Sequence, residues 1–192
     1  MPVASTSKPR QPRADAQRNR DQIVTRTAAL FARRGADVPM EEIAQHAGVG
    51  VGTLYRHFPD RPALTLAVSL YLYEQIAELV QRSSEDEPDP WHALTRVIRG
   101  WVTLRLAVRK PLDQWLVEAR RANPRLRELH DLIEGVLRRT LAEAQAAGTL
   151  RADVRLTDVV RLIGLLILAE EGADRLTEIA IDGLRGPGRA SG

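Results

Sequence analysis

The sequence predicts an all-α protein in which a small N-terminal helix-turn-helix unit precedes a larger helical bundle, with about nine helices in all. Three observations lead to this fold class. Apolar residues recur at three- and four-residue spacing along most of the chain, and no segment alternates as a β-strand does. Two short helical patterns flank a glycine turn within Met40–Phe58. The segment Val159–Leu168 is apolar almost all round, which is typical of a helix with partners on both sides.

Length and composition exclude several classes of protein. The chain has 192 residues and a net charge of +3, which allows one or two domains with a substantial core. It has no cysteine, so disulfides and thiolate metal sites are excluded. We find no apolar run of about 18 residues and no N-terminal signal core, so we expect a cytoplasmic protein without a membrane span. No glycine-rich phosphate loop and no group of metal ligands is evident, so we expect no enzymatic activity, cofactor or metal.

The first predicted helix runs from about Ala16 to Arg34 and ends at Gly35. Its inner stripe consists of Ile23, Thr27, Leu30 and Phe31. Residues 1–14 contain three prolines and several small polar residues, so we expect a disordered basic arm. From Lys8 to Arg34 the chain carries eight basic and two acidic residues, a local charge of +6 that suits attraction to phosphate. A solvated basic tail is the alternative.

The segment Met40–Phe58 then has the pattern of two short helices joined by a tight turn. The first, about Met40–Ala47, has Glu41 and Glu42 in its first turn, where negative charge offsets the helix dipole. Gly48 ends this helix, because glycine adopts the left-handed conformation at little cost.

The second of these helices has an apolar and a polar side. Leu54 and Phe58 are four residues apart and are predicted to pack inward. The other faces carry Thr53, Tyr55, Arg56 and His57. This is the layout of a helix-turn-helix, whose second helix lies in the DNA major groove. The small residues over 50–52 would allow a close approach to DNA, whereas an ordinary helical hairpin would not need them.

The segment from about Asp21 to Ala67 resembles the DNA-binding domain of the TetR (tetracycline repressor) family of transcriptional regulators. The matching residues are Ala28-Ala29-Leu30-Phe31-Ala32, Gly35, Met40-Glu41-Glu42-Ile43-Ala44, Ala47-Gly48-Val49, Gly52-Thr53-Leu54-Tyr55-Arg56-His57-Phe58 and Leu64. The remainder of the chain resembles the family only in length and helical texture.

The resemblance implies that Tyr55 and His57 bind DNA phosphates, and that residues 51–53 and Arg56 lie at or near base edges. Arg61 is a further phosphate candidate, and the first helix and the start of the second are expected to add contacts. The predicted DNA-binding residues are Arg26, Met40, Gly50, Val51, Gly52, Thr53, Tyr55, Arg56, His57 and Arg61. Val51 and Gly52 offer few hydrogen-bonding groups, so much of the specificity would come from backbone approach, Arg56 and DNA shape.

Beyond the motif, helical patterns continue to the C-terminus. Asp60 is the predicted N-cap of a helix over about Arg61–Gln81, and Asn123 caps one that begins at Pro124 and stops at Gly148. The acidic, proline-rich segment Ser83–Pro90 is predicted to be a loop. The other predicted helices are about Asp89–Val108, Leu112–Arg121, Thr157–Glu171 (the eighth) and Ala173–Leu184 (the ninth), with a disordered tail over Gly186–Gly192.

The eighth and ninth predicted helices indicate a homodimer. The eighth is apolar on nearly every face, and the ninth has Leu176, Ile179, Ala180 and Leu184 at helical spacing. Two such helices from each subunit would form a four-helix interface, which the resemblance also implies. The alternative is that the eighth helix is central in the core of a monomer. A dimer would read a palindrome with half-sites roughly 34 Å apart.

The bundle also contains candidate residues for a small-molecule site, which the resemblance implies without assigning residues. The three tryptophans lie in the fifth and sixth predicted helices, as core residues or as flat walls of a pocket. With nearby polar side chains that would orient an effector, the candidate ligand-binding residues are Tyr73, Trp101, Arg105, Trp115, Glu118 and His130. For His130, a satisfied core histidine is the alternative.

Together these observations predict a DNA-binding transcriptional regulator: a homodimeric repressor that a small-molecule effector releases from a palindromic double-stranded operator. The predicted organisation is a disordered basic arm (1–14), a helix-turn-helix DNA-binding domain (15–60), a ligand-binding and dimerisation domain (61–185) and a disordered tail (186–192). An activator or global regulator of the same fold is one alternative. A helical ligand-binding protein without DNA binding is another, and a salt titration of DNA binding would distinguish it.

Overall fold

The computed structural model describes residues 12–103, 120–169 and 172–187, with side chains from Asp15 onward. These residues form eight helices: α1 (Pro12–Arg34), α2 (Met40–Ala47), α3 (Val51–His57), α4 (Arg61–Asp86), α5 (Pro90–Thr103), α6 (Pro124–Ala146), α7 (Leu156–Ile167) and α8 (Ala173–Leu184). Within the described ranges there is no strand, so the all-α prediction is confirmed. Most of the sixth predicted helix, over Leu112–Arg121, lies outside the described residues. The eighth and ninth predicted helices are therefore numbered α7 and α8 here.

The N-terminal helices share one hydrophobic core with the first half of α4. The predicted inner stripe of α1 is confirmed, since none of its four side chains is more than 4% exposed. These side chains pack with buried residues of α2, α3 and α4, among them Ile43, Leu54, Phe58, Leu64, Val68 and Leu72. Helix α4 is therefore part of the helix-turn-helix core and not only a connection to the bundle.

Helix boundaries follow local capping groups, as the sequence predicts. The side chain of Asp60 accepts a hydrogen bond from the Ala63 amide at 2.8 Å, and that of Asn123 accepts one from Leu126 at 3.1 Å. Asp89 caps α5 in the same way, with its Oδ1 2.8 Å from the Trp91 amide nitrogen. Gly148, with φ of 75°, follows the C-terminal end of α6.

Helix α4 continues to Asp86, beyond its predicted end at Gln81. The sequence of the segment predicts a loop because of its acidic residues and prolines. In the structure, Ser83 is fully buried, and Arg96 of α5 forms ion pairs with Asp86 at 3.2 Å and Glu87 at 3.4 Å. These tertiary contacts hold the additional helical turn, which local propensity alone did not predict.

By length and composition, α4 is also apolar enough to cross a membrane, contrary to the expectation that no such segment exists. Half of its most apolar 18-residue window is buried inside the protein. It packs against α1, α5 and α6. A helix with neighbours on so many sides is apolar because it is central to the core.

Two further hydrophobic clusters build the bundle. One joins α4, α5 and α6 through Ile76, Ala77, Val80, Val97, Leu129, Ile133 and Leu137. The other joins α5 to the C-terminal helices through Trp91, Leu94, Ile98, Leu141, Val159, Ile163, Ile181 and Leu184. The start of α6 lies beside the middle of α4 and its C-terminal end packs on the first turns of α5, so α6 runs parallel to α4.

The two ends of the described chain differ from the predicted arm and tail. Helix α1 begins at Pro12, inside the segment expected to be disordered; residues 1–11 lie outside the described part. Gly186, the first residue of the predicted tail, donates its N–H to the Thr149 carbonyl at 2.8 Å. The end of α8 is thereby attached to the turn between α6 and α7.

Candidate functional site

The turn between α2 and α3 has the geometry that Gly48 predicts. This residue has φ of 71° and ψ of 31°, a left-handed conformation, and its N–H reaches the Gln45 carbonyl at 3.1 Å. The next amide, of Val49, reaches the Ala44 carbonyl at 3.0 Å. A Cβ atom on Gly48 would lie 2.7 Å from Nη1 of Arg26, so the backbone conformation favours glycine and a side chain would also displace the Arg26 guanidinium.

Helix α3 buries one side and presents the other. Leu54 and the following Phe58 are buried, which confirms the predicted inward pair. On the opposite side, Val51 is 38% and Tyr55 is 42% exposed. The helix and its first flanking residue thus form a surface of exposed Gly50, Val51, Gly52, Tyr55 and Arg56, with half-buried Thr53 and His57. We call this set the α3 surface.

Gly52 is the most informative residue of the α3 surface. A Cβ atom placed on it would meet no protein atom within 4 Å. Neither its backbone conformation nor its packing requires glycine, and glycine weakens a helix relative to alanine. A close approach by something outside the chain would explain a glycine at this position.

The structure changes the expected role of three predicted DNA-binding residues. Met40 is 7% exposed and belongs to the N-terminal core, so its side chain is not available to DNA and only its backbone could make a contact. The guanidinium of Arg26 donates to the Ala47 carbonyl at 2.8 Å. That of Arg61 donates to the carbonyls of Ala36, at 2.7 Å, and Val38. Both arginines bind backbone carbonyls, although Arg26 is exposed and Arg61 half-buried, and residue type and spacing did not reveal these contacts.

The basic residues that precede the helix-turn-helix are also less available to DNA than their charge suggests. Arg18 is paired with Asp15, and Arg34 with Glu42. The guanidinium carbon of Arg20 lies 5.0 Å from the centre of the Phe58 ring, in cation–π geometry. Lys8, Arg10 and the side chain of Arg13 lie outside the described residues. Within the described part, Arg56 on the α3 surface makes no hydrogen bond or ion pair to the protein.

Three members of the predicted ligand set, Tyr73, Trp101 and His130, are described, and they lie around one cluster. Tyr73 and Trp101 are half-buried against the cluster that joins α4, α5 and α6. The ring centres of Tyr73 and His130 are 6.4 Å apart. Arg105, Trp115 and Glu118 lie outside the described residues. The remaining tryptophan, Trp91, is a core residue, 4% exposed.

Charged side chains flank His130. Nη1 of Arg120 lies 2.8 Å from its Nε2, and the Glu134 carboxylate lies 3.3 Å from the same atom. Burial, followed by the charge of Arg120, lowers the pKa of His130, while Glu134 and Asp131 oppose this shift. Burial also raises the pKa of Tyr73. The i, i+4 spacing of His130 and Glu134 was a readable sequence signal, whereas the contact with Arg120 was not.

Two open depressions in the described part involve other residues. One, of about 420 Å³, lies between α1 and α2 and is lined by Leu30, Arg33, Arg34, Glu42, Gln45 and His46. The other, of about 400 Å³, lies between α5 and α8, where Arg99 and Glu178 form a two-bond ion pair at 2.7 and 2.8 Å. Neither depression includes the three described members of the ligand set.

Helices α7 and α8 expose several large apolar side chains. On its inner side α7 buries Val159, Ile163 and Leu166. On the outer side lie five of the eight large apolar side chains that the described residues expose: Val160, Leu165, Leu168, Leu176 and Ile179. Gly164 is four residues from both Val160 and Leu168, so it lies on the same side. We call these six residues the α7–α8 face.

Known proteins resemble the chain over both of its parts. The family model described as "Bacterial regulatory proteins, tetR family" matches residues 23–68, and that described as "Transcriptional regulator SbtR-like, C-terminal domain" matches residues 89–186. A TetR transcription regulatory protein of known structure from Mycobacterium vanbaalenii is 34% identical, over 91% of this chain and 99% of that one, with a TM-score of 0.60. The chain belongs to the TetR family of transcriptional regulators.

Two further proteins are similar to the chain at lower identity. The HTH-type transcriptional regulator Rv1816 of Mycobacterium tuberculosis is 29% identical over a 154-residue alignment that covers 73% of this chain and 63% of that protein. The alignment thus spans less than two thirds of that relative. The TetR-like regulator LfrR of Mycobacterium smegmatis, solved with proflavine, is 19% identical over 88% of this chain and 95% of its own, with a TM-score of 0.69. At this identity, the likeness to LfrR shows a common fold.

Proposed function

We propose that this TetR-family chain is a DNA-binding transcriptional regulator, and specifically a homodimeric repressor that leaves a palindromic operator when a small molecule binds. The observation that carries the proposal is the α3 surface. It combines an arginine that no described residue pairs with, an exposed tyrosine and an open glycine on a helix whose other side is fixed in the core. A cytoplasmic location accords with this role.

In this proposal, Tyr55 and His57 bind phosphates while residues 50–53 and Arg56 meet the major groove. Residues 15–60 form the DNA-binding domain and residues 61–185 the ligand-binding and dimerisation domain. Helix α4 supports the coupling of the two, because its first half packs in the N-terminal core and its second half in the bundle. Binding of an effector in the bundle would shift α4 and change the separation of the two α3 surfaces in the dimer.

The α7–α8 face supports the dimer in this proposal. A second copy of the chain would bury its five large apolar side chains, each between 42% and 67% exposed in the single subunit. Gly164 offers a sharp test, because a Cβ there meets no protein atom within 4 Å and a larger side chain would obstruct only a partner. We expect Gly164→Leu to shift sedimentation equilibrium from dimer to monomer.

The control for this variant is Gly135→Leu, which adds the same side chain to another open helical glycine, on α6. It should remain dimeric. A dimeric Gly164→Leu protein, or a wild-type protein that is monomeric at micromolar concentration, would contradict the proposed interface.

The proposed effector site lies around Tyr73, Trp101 and His130. Half-buried aromatic rings beside a partly desolvated histidine and an arginine suit a flat, largely apolar molecule with a polar group. A thermal-shift screen of apolar and cationic small molecules tests this. Hits should lose their effect in the Trp101→Ala protein.

The DNA-binding proposal is tested with a duplex that the wild-type protein enriches from a random-sequence library. Fluorescence anisotropy should show an affinity that falls steeply with salt, because phosphate contacts release counterions. Tyr55→Ala and His57→Ala should each weaken binding on the order of tenfold or more, since each removes a bond to a charged group in both subunits. His92→Ala, at an exposed histidine of α5, is the matched control. Unchanged affinity in both α3 variants would refute the assignment of this helix.

A further inference from the structure

Arg61 occupies an unusual position for a residue at the start of a helix. It is the first residue of α4, yet its guanidinium reaches the loop between α1 and α2, 23 to 25 residues earlier in the chain. Nη1 donates to the Ala36 carbonyl at 2.7 Å and Nη2 donates to the Val38 carbonyl. Ala36 and Val38 are 8% and 5% exposed, so this stretch of loop lies against the protein and its carbonyls need partners.

The arrangement suits arginine in particular. A guanidinium is planar and presents several N–H groups in a fixed fork, so its two terminal nitrogens can bind two separate carbonyls at once. A lysine ammonium is a single charged point on a flexible stem. The side chain of Arg61 is half-buried, and in this position two of its donors already bind the backbone.

Arg26 provides a comparison within the same unit. It is a residue of α1, and its Nη1 donates to the Ala47 carbonyl at the C-terminal end of α2. Arginine side chains therefore bind backbone carbonyls just before α2 and at its C-terminal end. The two differ in origin: Arg26 connects α2 to α1 within the helix-turn-helix unit, whereas Arg61 connects the loop before α2 to α4.

We propose that Arg61 is a positioning residue that attaches the first turn of α4 to the α1–α2 loop, and that it is not a phosphate ligand. The effect of this attachment on DNA binding rests on the proposed function. If α4 shifts when an effector binds, the two hydrogen bonds carry the shift to the start of α2. The N-terminal core side chains Leu64 and Val68 lie one and two turns farther along α4, so core packing and hydrogen bonds act on the same segment.

The attachment can be measured in the free protein by amide hydrogen exchange, without DNA or effector. Arg61→Leu should speed exchange roughly tenfold or more at Ile43, whose amide donates to the Pro39 carbonyl at 3.0 Å at the start of α2, because two bonds from a charged donor beside it are lost. Arg61→Lys retains the charge but not the fork, and exchange there should remain several-fold faster than in the wild type. In the matched control Arg26→Leu, faster exchange should appear at Gly48 and Val49 instead.

The second measurement is DNA binding to the library-selected duplex. A phosphate ligand in each subunit would contribute about 0.9 to the slope of log affinity against log salt, or about 1.8 for a dimer. We expect Arg61→Leu to weaken binding with an unchanged slope. An Arg61→Leu protein with wild-type exchange and a slope reduced by about 1.8, restored by Arg61→Lys, would overturn the proposal. If no variant or wild-type protein binds DNA, the proposed function fails, and the exchange measurement still decides the role of Arg61.

Discussion

Replacing Gly52 by leucine should separate the demands of folding from those of DNA binding. A Cβ at this position meets no atom within 4 Å, so the new side chain causes no clash within the subunit. Leucine favours a helix over glycine by up to about 0.8 kcal/mol. In a chain of this size, 1 kcal/mol corresponds to roughly 2–4 °C, so we expect an unfolding midpoint that is unchanged or up to about 3 °C higher.

The same substitution should weaken DNA binding, because the added side chain occupies the space where the α3 surface would approach the major groove. A loss of about 1.4 kcal/mol or more corresponds to at least tenfold in affinity for the library-selected duplex. Thermal unfolding followed by circular dichroism and fluorescence anisotropy measure the two effects on one preparation. Gly135→Leu, at an equally open glycine of α6, should give the stability change alone.

The reasoning requires that the affinity for DNA falls while the unfolding midpoint stays the same or rises. If Gly52→Leu lowered the unfolding midpoint by several degrees, glycine would be needed for folding and the reasoning from open space would be wrong. If the variant bound the duplex as tightly as the wild type, the α3 surface would not meet DNA at this residue.

Two further predictions concern stability. Gly48→Ala should lower the free energy of unfolding by about 1–3 kcal/mol in chemical denaturation, because alanine is strained at φ of 71°. Its Cβ would also lie 2.7 Å from Nη1 of Arg26 and displace that guanidinium from its hydrogen bond. An unchanged denaturation midpoint would contradict this. Because burial lowers the pKa of His130 in the folded protein, the unfolded chain binds the proton more readily, and stability should fall as the pH drops from about 7 through the folded pKa. His130→Gln should reduce the drop in unfolding midpoint between pH 7.5 and 5.5, and an identical pH profile in the variant would exclude His130 as its source.

Much of the helix-turn-helix was predictable because its signals are local. Asp60 caps α4 through the amide three residues away, and Gly48 ends α2 through its own backbone conformation. The inward positions of Leu54 and Phe58 follow from helical spacing. The prediction that these features form a helix-turn-helix of the TetR family is confirmed, while the assignment of individual DNA contacts stays a prediction.

The structure changes an expectation mainly where a residue's surroundings include a distant part of the chain. Charge made Arg26 and Arg61 candidates for phosphate, but their donors bind carbonyls 21 to 25 residues away. The acidic residues and prolines after Gln81 predict a loop, whereas α4 continues to Asp86, and the partner of Asp86, Arg96, belongs to another helix. Position in the motif suggested that Met40 meets DNA, yet the side chain lies in the core.

The sequence by itself determined the helices, the turn at Gly48 and the apolar composition of α7 and α8, because spacing and backbone preference act over a few residues. Only the tertiary structure decided which arginines remain available on the surface, which side of α7 stays exposed, and that α4 belongs to two cores at once. Those properties depend on which helices pack together, and a contact between residues far apart in the chain has no local pattern that reveals it.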